Sequence, residues 1–304
     1  MIGVYGANGF IGRHLLARLA RSGERCRAVS RRFDDDVKSE FGRRFELVEA
    51  DFRDPIAMAS TLQAVNTVVQ LISTSSPGLQ NRYLLNDIRE NVIPHVDFVR
   101  SAVEAGAKRY VFVSSGGTVY GPGAPVPIPE SAPTRPISSH GISKLTIEQY
   151  LHLFAHVEGL SAIVLRVANA YGPGQKFRKG NGLIPAVRER IERDEPVQII
   201  GDGSMRRDYV YVADVAEAIM ASVSRRESDS VTVNIGSGHA HSVKEVVDLV
   251  ERIVGRPVKR EFVPARKSDV DVSLLDITRA QEILGWKPRV DFEDGLARTF
   301  ASST

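Results

Sequence analysis

Cysteine is almost missing from this chain: its 304 residues contain one, Cys26. A disulfide framework is thereby excluded, the reducing cytoplasm is the expected setting, and the apolar surroundings of Cys26 point to core packing rather than thiol chemistry. No apolar run approaches membrane-spanning length. No long block of one charge sign is present either. The 40 Lys and Arg stand against 37 Asp and Glu, a formal charge of +3, so neither nucleic acid nor a membrane is an expected partner. Internal repeats and low-complexity tracts are lacking, and no metal site is expected. Met1 to Tyr5 lead straight into a glycine loop, which leaves no room for a charged and apolar leader.

Apolar residues make up 42% of the chain, enough to bury a sizeable core. Short apolar runs alternate with helical patterns: Ile2 to Tyr5, Arg27 to Ser30, Phe45 to Ala50, Thr67 to Ile72, Tyr110 to Ser114 and Ala162 to Val167. That rhythm predicts parallel strands joined by crossover helices. Arg13 to Ser22 and Asn91 to Ala105 carry apolar residues at helical spacing, with Gly23 and Gly106 marking their ends. Beyond Gly172 the pattern loosens, with helices expected near Leu183 to Glu192, Asp214 to Ser224, Val243 to Val254 and Thr278 to Leu284. The expected fold class is α/β. A doubly wound Rossmann sheet is placed at residues 1–170 and a smaller substrate-binding lobe at 171–304, with a late strand around Val231 to Ile235 returning to the first sheet.

Gly6-Ala7-Asn8-Gly9-Phe10-Ile11-Gly12 follows the first strand and opens the first helix, which sets backbone N–H groups and the positive end of the helix dipole against a pyrophosphate. Its G-x-x-G-x-x-G spacing resembles that of the extended short-chain dehydrogenase/reductase family. In such proteins a carboxylate about 20 residues on grips a free ribose 2′-hydroxyl, whereas arginine accommodates a 2′-phosphate. Here Ser30-Arg31-Arg32 ends the second strand. Of the two forms of NAD(P), NADP is therefore favoured over NAD, with Arg31 or Arg32 pairing the phosphate. A solvated turn is the alternative for both arginines, and Asp34 to Asp36 remain available to a ribose. The resemblance also implies Asp51 and Phe52 at the adenine, and Leu71 with Ser73 along the channel to the nicotinamide; Asp51 equally suits a helix cap.

The resemblance extends over nearly the whole chain. It is carried by Ser114-Ser115-Gly116-Gly117-Thr118-Val119-Tyr120-Gly121, His140-Gly141-Ile142-Ser143-Lys144, Asn169-Ala170-Tyr171-Gly172-Pro173-Gly174, Gly201-Asp202-Gly203, Arg207-Asp208-Tyr209-Val210 and Leu284-Gly285-Trp286-Lys287-Pro288. Within the family, the chain resembles the NAD-dependent nucleotide-sugar epimerase/dehydratase branch that includes the UDP-glucose 4-epimerases. That branch transfers protons with a Tyr-x-x-x-Lys pair on one helical face. Lys144 is in place; His140 occupies the tyrosine position, and Gly116 stands where relatives place a reacting Ser or Thr. Ser115 and Thr118 are the neighbouring hydroxyls, each either catalytic or satisfied by backbone. Imidazole titrates near neutrality and is able to serve as acid/base beside Lys144; the alternative is a helix-starting histidine whose shorter reach forbids proton transfer. Tyr120 and Tyr150 are read as core or rim first.

By resemblance, Arg207 and Arg266 clamp a nucleotide diphosphate, Asn169 contacts substrate, and Asn181 and Leu183 open a helix near the diphosphate. Asp208 is expected to orient its neighbours, Asp214 to cap a helix, and Asn91 to bond across to the helix bearing His140 and Lys144. The implied activity is reversible hydride transfer on a nucleotide-diphosphate sugar by an epimerase. A one-way NADPH-dependent keto-sugar reductase and a cofactor- and sugar-binding protein without turnover are the alternatives. A homodimer is expected through the helices around 91–105 and 146–156, with Leu151, Leu153 and Phe154 as its apolar face or as ordinary core.

Overall fold

The computed structural model describes residues 1–75, 84–177, 182–264 and 270–301. Asn181 and Arg266 lie outside the described residues. Along the chain run β1 (Ile2–Tyr5), α1 (Phe10–Ser22), β2 (Cys26–Ser30), α2 (Asp35–Phe41), β3 (Glu46–Glu49), α3 (Pro55–Ser60), β4 (Thr67–Gln70) and α4 (Leu84–Asp87). A π-helical turn (Ile88–Val92) leads into α5 (Ile93–Glu104), followed by β5 (Arg109–Ser115), α6 (Ser139–Glu158), β6 (Ser161–Val167), β7 (Asn169–Tyr171), α7 (Leu183–Glu192) and β8 (Val197–Ile200). Then come β9 (Arg206–Tyr211), α8 (Val212–Ser224), β10 (Val231–Ile235), β11 (Ala240–Ser242), α9 (Val243–Val254), β12 (Arg260–Val263), β13 (Val272–Ser273), α10 (Thr278–Leu284) and α11 (Phe292–Ala301).

Seven strands form one parallel sheet in the order β10-β6-β5-β4-β1-β2-β3, a Rossmann-type arrangement. Its central strands are mostly apolar and buried because helices cover both faces, whereas the edge strand β3 carries exposed Glu46 and Glu49. Val4, Val69, Val111, Val113, Ile163 and Leu165 face Leu15 and Leu16 of α1 and Val215 and Ile219 of α8. Tyr5, Val68, Tyr110, Phe112 and Val164 face Met58, Phe98 and Leu151 of α3, α5 and α6. Cys26 is buried in the first of these layers, and burial pushes its thiol up to about 12, which leaves it inert. The chain beyond residue 170 returns once to this sheet, as β10 beside β6. The remaining strands build a sheet around β9 and a β8–β12 pair over a core of Tyr171, Tyr209, Tyr211, Val246, Val250 and Phe292. No described helix is long and apolar enough to cross a membrane.

Several local expectations are corrected. Asp54, not Asp51, caps α3, accepting from the N–H groups of Ile56 and Ala57 at 3.1 and 3.0 Å; Pro55 at the first helical position fixes the start there. Asp214 lies inside the first turn of α8, and its Oδ2 accepts from Val290 N at 3.0 Å, so it ties the C-terminal segment down instead of capping. Leu151 is fully buried and Phe154 packs on the same core. The exposed apolar stripe of α6 is Ile142, Tyr150, Leu153 and Val157.

Gly121 closes the turn that follows β5. Its φ is +73°, and a Cβ there would lie 1.9 Å from the Arg135 carbonyl oxygen. Gly121→Ala is expected to cost about 2–4 kcal/mol, left-handed strain plus overlap with backbone that cannot yield. The control is Gly23→Ala, with a similar φ of +79° but nothing within 4 Å of the added Cβ, expected to cost about 1–2 kcal/mol. Urea midpoints of the two variants test the difference.

Candidate active site

The order of the sheet reverses between β1 and β4, and a crevice at the carboxyl ends of such strands is where ligands bind in doubly wound folds. The loop from β1 enters this crevice with three tightly set glycines. Gly6 takes φ +89°, and a Cβ on Gly12 would sit 2.4 Å from the Gly6 carbonyl oxygen and 2.6 Å from that of Ala7. The loop therefore coils directly into α1, whose N-cap is Gly9, with no side-chain cap and no acidic residue in the first turn. Bare N–H groups at the positive end of a helix suit a pyrophosphate, so this loop fits a dinucleotide.

At the far end of the crevice Arg31 and Arg32 are exposed and, among the described residues, hydrogen bond to none. Asp34 and Asp36 are both held by Arg13, the latter at 2.6 Å, which draws them away from a ribose. Asn8 joins this knot by accepting from Arg13 through its carbonyl and side-chain oxygens, each at 3.1 Å. Asp51 forks onto Arg53 at 2.7 and 3.0 Å, and that guanidinium holds its carboxyl down at about 2. Phe52 is buried edge-on against His95, with ring centroids 4.7 Å apart.

After β4, Leu71 packs against the core and the chain turns through Ser73, whose hydroxyl donates to the Ser75 carbonyl at 3.4 Å. Asn91 anchors this segment and not α6: its Oδ1 accepts from Thr74 N at 2.9 Å and its Nδ2 donates to Thr74 Oγ1 at 2.8 Å. The π turn leaves the Asn91 carbonyl facing His95 Nδ1 at 2.5 Å. Ser75 Oγ in turn lies 2.8 Å from His140 Nδ1, which joins the β4 loop to α6.

Ser138 caps α6 by accepting from Gly141 N at 3.1 Å, so His140 sits in its first turn and Lys144 one turn further on the same face. Both are buried. Lys144 Nζ donates to the Val113 carbonyl at 2.8 Å and stands 4.6 Å over the Phe112 ring. Burial lowers its pKa to about 8 against the upward pull of Glu148. His140 is pushed down to about 3 by burial and by the Lys144 charge, and His95 is lowered to about 3 for the same reasons. His140 is therefore neutral across the physiological range, which corrects the expectation that it titrates near neutrality.

Unfolded histidines take up protons near 6.5, whereas the folded pair resists protonation until about 3. Stability is full above pH 6.5 and falls as pH drops toward 3, by about 1.4 kcal/mol per pH unit for each histidine. Thermal melts from pH 8 to 4 should show this acid limb, and His140→Phe should remove about half of its slope.

The turn after β5 completes the site. A Cβ on Gly116 would lie 2.5 Å from Leu275 Cδ1 and 2.9 Å from the Arg166 carbonyl oxygen. Leu275, itself buried, fills the space a side chain at 116 would need. Ser114 turns toward α6 and donates to Glu148. Ser115 is half-buried, and Thr118 Oγ1 is buried without a partner among the described residues. Tyr120 is core, donating to Asn234 Oδ1 at 2.7 Å, and Tyr150 lies at the surface.

On the facing lobe, Asn169 Nδ2 donates to the Asp208 carbonyl at 2.9 Å. Arg207 donates to the Val270 carbonyl at 2.6 Å. Asp208 accepts from Ser237 N and Oγ at 2.7 and 2.8 Å, which orients that loop as expected. Leu183 begins α7 and packs against the lobe's core. Ser75, His95, Glu148, Arg166 and Leu275 were not singled out from the sequence. Glu148 had a signal, four residues beyond Lys144 on one helical face; the others arrive from distant elements.

Residues 2–236 match the NAD dependent epimerase/dehydratase family. The chain belongs to that family. A dTDP-4-dehydro-6-deoxyglucose reductase of Escherichia coli is 33% identical over 238 residues, 78% of this chain and 75% of the relative. A UDP-glucose 4-epimerase of Mycolicibacterium smegmatis is 32% identical over 301 residues, 97% of this chain and 96% of the relative. Among solved structures, a UDP-glucose 4-epimerase from Stenotrophomonas maltophila with bound NAD and formylated UDP-arabinopyranose superposes with a TM-score of 0.92 at 30% identity, covering 99% of this chain and 97% of the other. This epimerase/dehydratase-family member thus shares a full-length fold with enzymes that act on nucleotide sugars.

Proposed function

We propose that this chain is an NAD(P)-dependent nucleotide-sugar epimerase working by reversible hydride transfer. The observation that carries the reading is the stacking of His140 and Lys144 on α6, at the carboxyl end of β5, beside a switch-point crevice whose opening helix presents bare N–H groups. Nicotinamide, when bound, supplies the hydride acceptor and donor. Gly6, Asn8, Gly9, Phe10, Ile11 and Gly12 are assigned to the pyrophosphate and Lys144 to the ribose hydroxyls. Asp51 and Phe52 go with the adenine, and Leu71 and Ser73 with the nicotinamide channel. Ser30, Arg31 and Arg32 are assigned to a ribose 2′-phosphate, so NADP is expected to outcompete NAD; that preference is the chain's own, since the S. maltophila enzyme holds NAD.

His140 works here as a neutral imidazole. With Nδ1–H donating to the Ser75 hydroxyl, Nε2 is unprotonated and would take the sugar hydroxyl proton as hydride leaves that carbon for nicotinamide, returning it when the hydride comes back. Ser115 and Thr118 are the hydroxyls assigned to the same oxygen, because Leu275 excludes one at 116. Asn169, Asn181, Leu183, Arg207 and Arg266 are assigned to the nucleotide diphosphate. The exposed stripe Ile142, Tyr150, Leu153 and Val157, together with Leu85, Ile88 and Ile93, is assigned to a homodimer. The single buried cysteine suits the cytoplasm.

Incubation with NAD or NADP and a panel of UDP-, GDP- and dTDP-sugars tests the reading. Transient nicotinamide reduction and a C4 epimer are expected. No absorbance change and no product across the panel would count against it. One observation favours a second reading, a keto-sugar reductase: a buried ammonium of lowered pKa beside an imidazole that resists protonation gives up a proton more readily than the pair takes one from an alcohol, which suits reduction of a ketone. The reductase reading requires net NADPH consumption by a 4-keto sugar, and the epimerase reading requires none.

A further inference from the structure

We infer that Arg13 is a positioning residue that sets the cofactor preference of the crevice: it gathers the carboxylates of Asp34 and Asp36 against the start of α1 and leaves the rim beside them to Arg31 and Arg32. The inference deepens the dinucleotide reading and rests on it.

The loops after β1 and β2 leave the sheet side by side, because the two strands are parallel neighbours paired from Ile2 with Cys26 to Tyr5 with Val29. Gly6 N and Ala7 N both donate to the Val29 carbonyl, at 2.9 and 3.1 Å, so the glycine loop is laid directly on the end of β2. Beyond β2 the chain is pinned by Phe33, whose ring is buried in the core and whose N–H donates to Glu49 Oε1 at 3.0 Å. Phe33 divides the exposed residues of this segment into two groups of opposite sign, Arg31 with Arg32 before it and Asp34 to Asp36 after it. Both groups lie about 20 residues beyond the glycines, where dinucleotide-binding folds read the ribose 2′ substituent.

Left alone, the two groups would select opposite cofactors. Carboxylates accept from a ribose hydroxyl and repel a phosphate, whereas guanidinium groups fork onto a phosphate. Arg13, in the opening turn of α1, resolves the conflict. Its Nη1 donates to Asp36 Oδ2 at 2.6 Å and its Nη2 to Asp34 Oδ2. The same guanidinium donates through Nε to the Asn8 carbonyl and through Nη2 to Asn8 Oδ1, each at 3.1 Å, and Asn8 Oδ1 also accepts from Asp34 N at 3.3 Å. One cation thus bridges two carboxylates and is itself braced on the glycine loop. Two further carboxylates nearby, Glu49 and Asp51, are taken by Lys38 and Arg53 at 3.0 and 2.7 Å. Ion pairs as exposed as these add little to stability. Their effect lies in where they put charge: with Arg13 in place, the acidic half of the segment is neutralised and the basic half keeps its field.

The test is the ratio of the NAD to the NADP dissociation constant, measured by isothermal titration of the full chain. Arg13→Gln releases both carboxylates and is expected to lower the ratio about tenfold, toward NAD, at about 10 mM salt, and by much less at about 1 M. Arg13→Gln/Asp34→Asn/Asp36→Asn removes the carboxylates as well and should return the ratio to the wild-type value or above it. All three side chains are at least partly exposed, so neither variant endangers the fold. Loss of the Asn8 braces by itself would weaken both cofactors alike, a change the ratio does not register. An unmoved ratio in Arg13→Gln would overturn the inference. So would a triple variant that stays shifted, because Arg13 would then act on the cofactor directly and not through the aspartates. A wild-type chain that binds neither dinucleotide would overturn the dinucleotide reading itself, and this inference with it.

Discussion

Lys144→Met is expected to weaken NADP binding by about 10- to 100-fold, the worth of a charge-assisted hydrogen bond, and to lower turnover by at least as much. The fold should not suffer. Methionine matches the length of the lysine stem and lies well over the Phe112 ring, where Nζ now sits 4.6 Å from the centroid. The substitution removes a buried ammonium whose desolvation opposes folding, and it leaves Glu148 paired with Arg166 at 2.7 Å. Among the described residues, the hydrogen-bond partner it leaves behind is the Val113 carbonyl. Melting temperature without cofactor should therefore stay level or rise, while the added stabilisation by saturating NADP largely disappears. A thermal melt with and without cofactor reads both effects. Equal stabilisation of wild type and variant by NADP would show that the lysine has no part in the site.

His140→Ala should separate binding from chemistry. Its imidazole is oriented by Ser75 at 2.8 Å and held neutral by burial and by Lys144, and the role assigned to it is proton transfer with the reacting oxygen. Loss of such a group costs about 10²- to 10⁴-fold in kcat. NADP affinity should remain within about threefold, because Lys144 and the glycine loop carry that interaction. His140→Phe should be equally inactive yet more resistant to acid, since it deletes a base that the folded state refuses to protonate. Steady-state rates and cofactor titrations on both variants give the comparison. A cofactor-binding protein without turnover would show no rate in the wild type for His140→Ala to remove, and that outcome would replace the enzyme reading.

The parallel sheet was legible because short, mostly apolar runs alternate with helical patterns and the first of them opens into a glycine loop. Ile2–Tyr5, the helix around Arg13 to Ser22 and the return of Val231–Ile235 fall where the pattern placed them. Short polar elements were not legible. The segment α2, Asp35–Phe41, offers only two apolar residues, Val37 and Phe41 one turn apart, too short a pattern to mark a helix, and its structure comes from packing both on the core. Caps were misread where two aspartates compete: Asp51 and Asp54 are equally good by type, and Pro55 decides between them.

In the site, the helical pair His140 and Lys144 was visible from its spacing. The consequences of burial were not. An imidazole lowered to about 3 follows from three-dimensional enclosure and a neighbouring charge, neither of which a spacing rule contains. The reason for Gly116 was equally hidden, since Leu275 reaches it from more than 150 residues away in sequence.

Every assignment in the crevice presumes that the amides of Gly6 to Gly12 hold a dinucleotide phosphate. Isothermal titration of the cofactor-free chain with NAD and with NADP measures this directly. Saturable binding of one dinucleotide per chain is predicted, tighter for NADP. Absence of heat with both, in their oxidised and reduced forms, would contradict the account at its base.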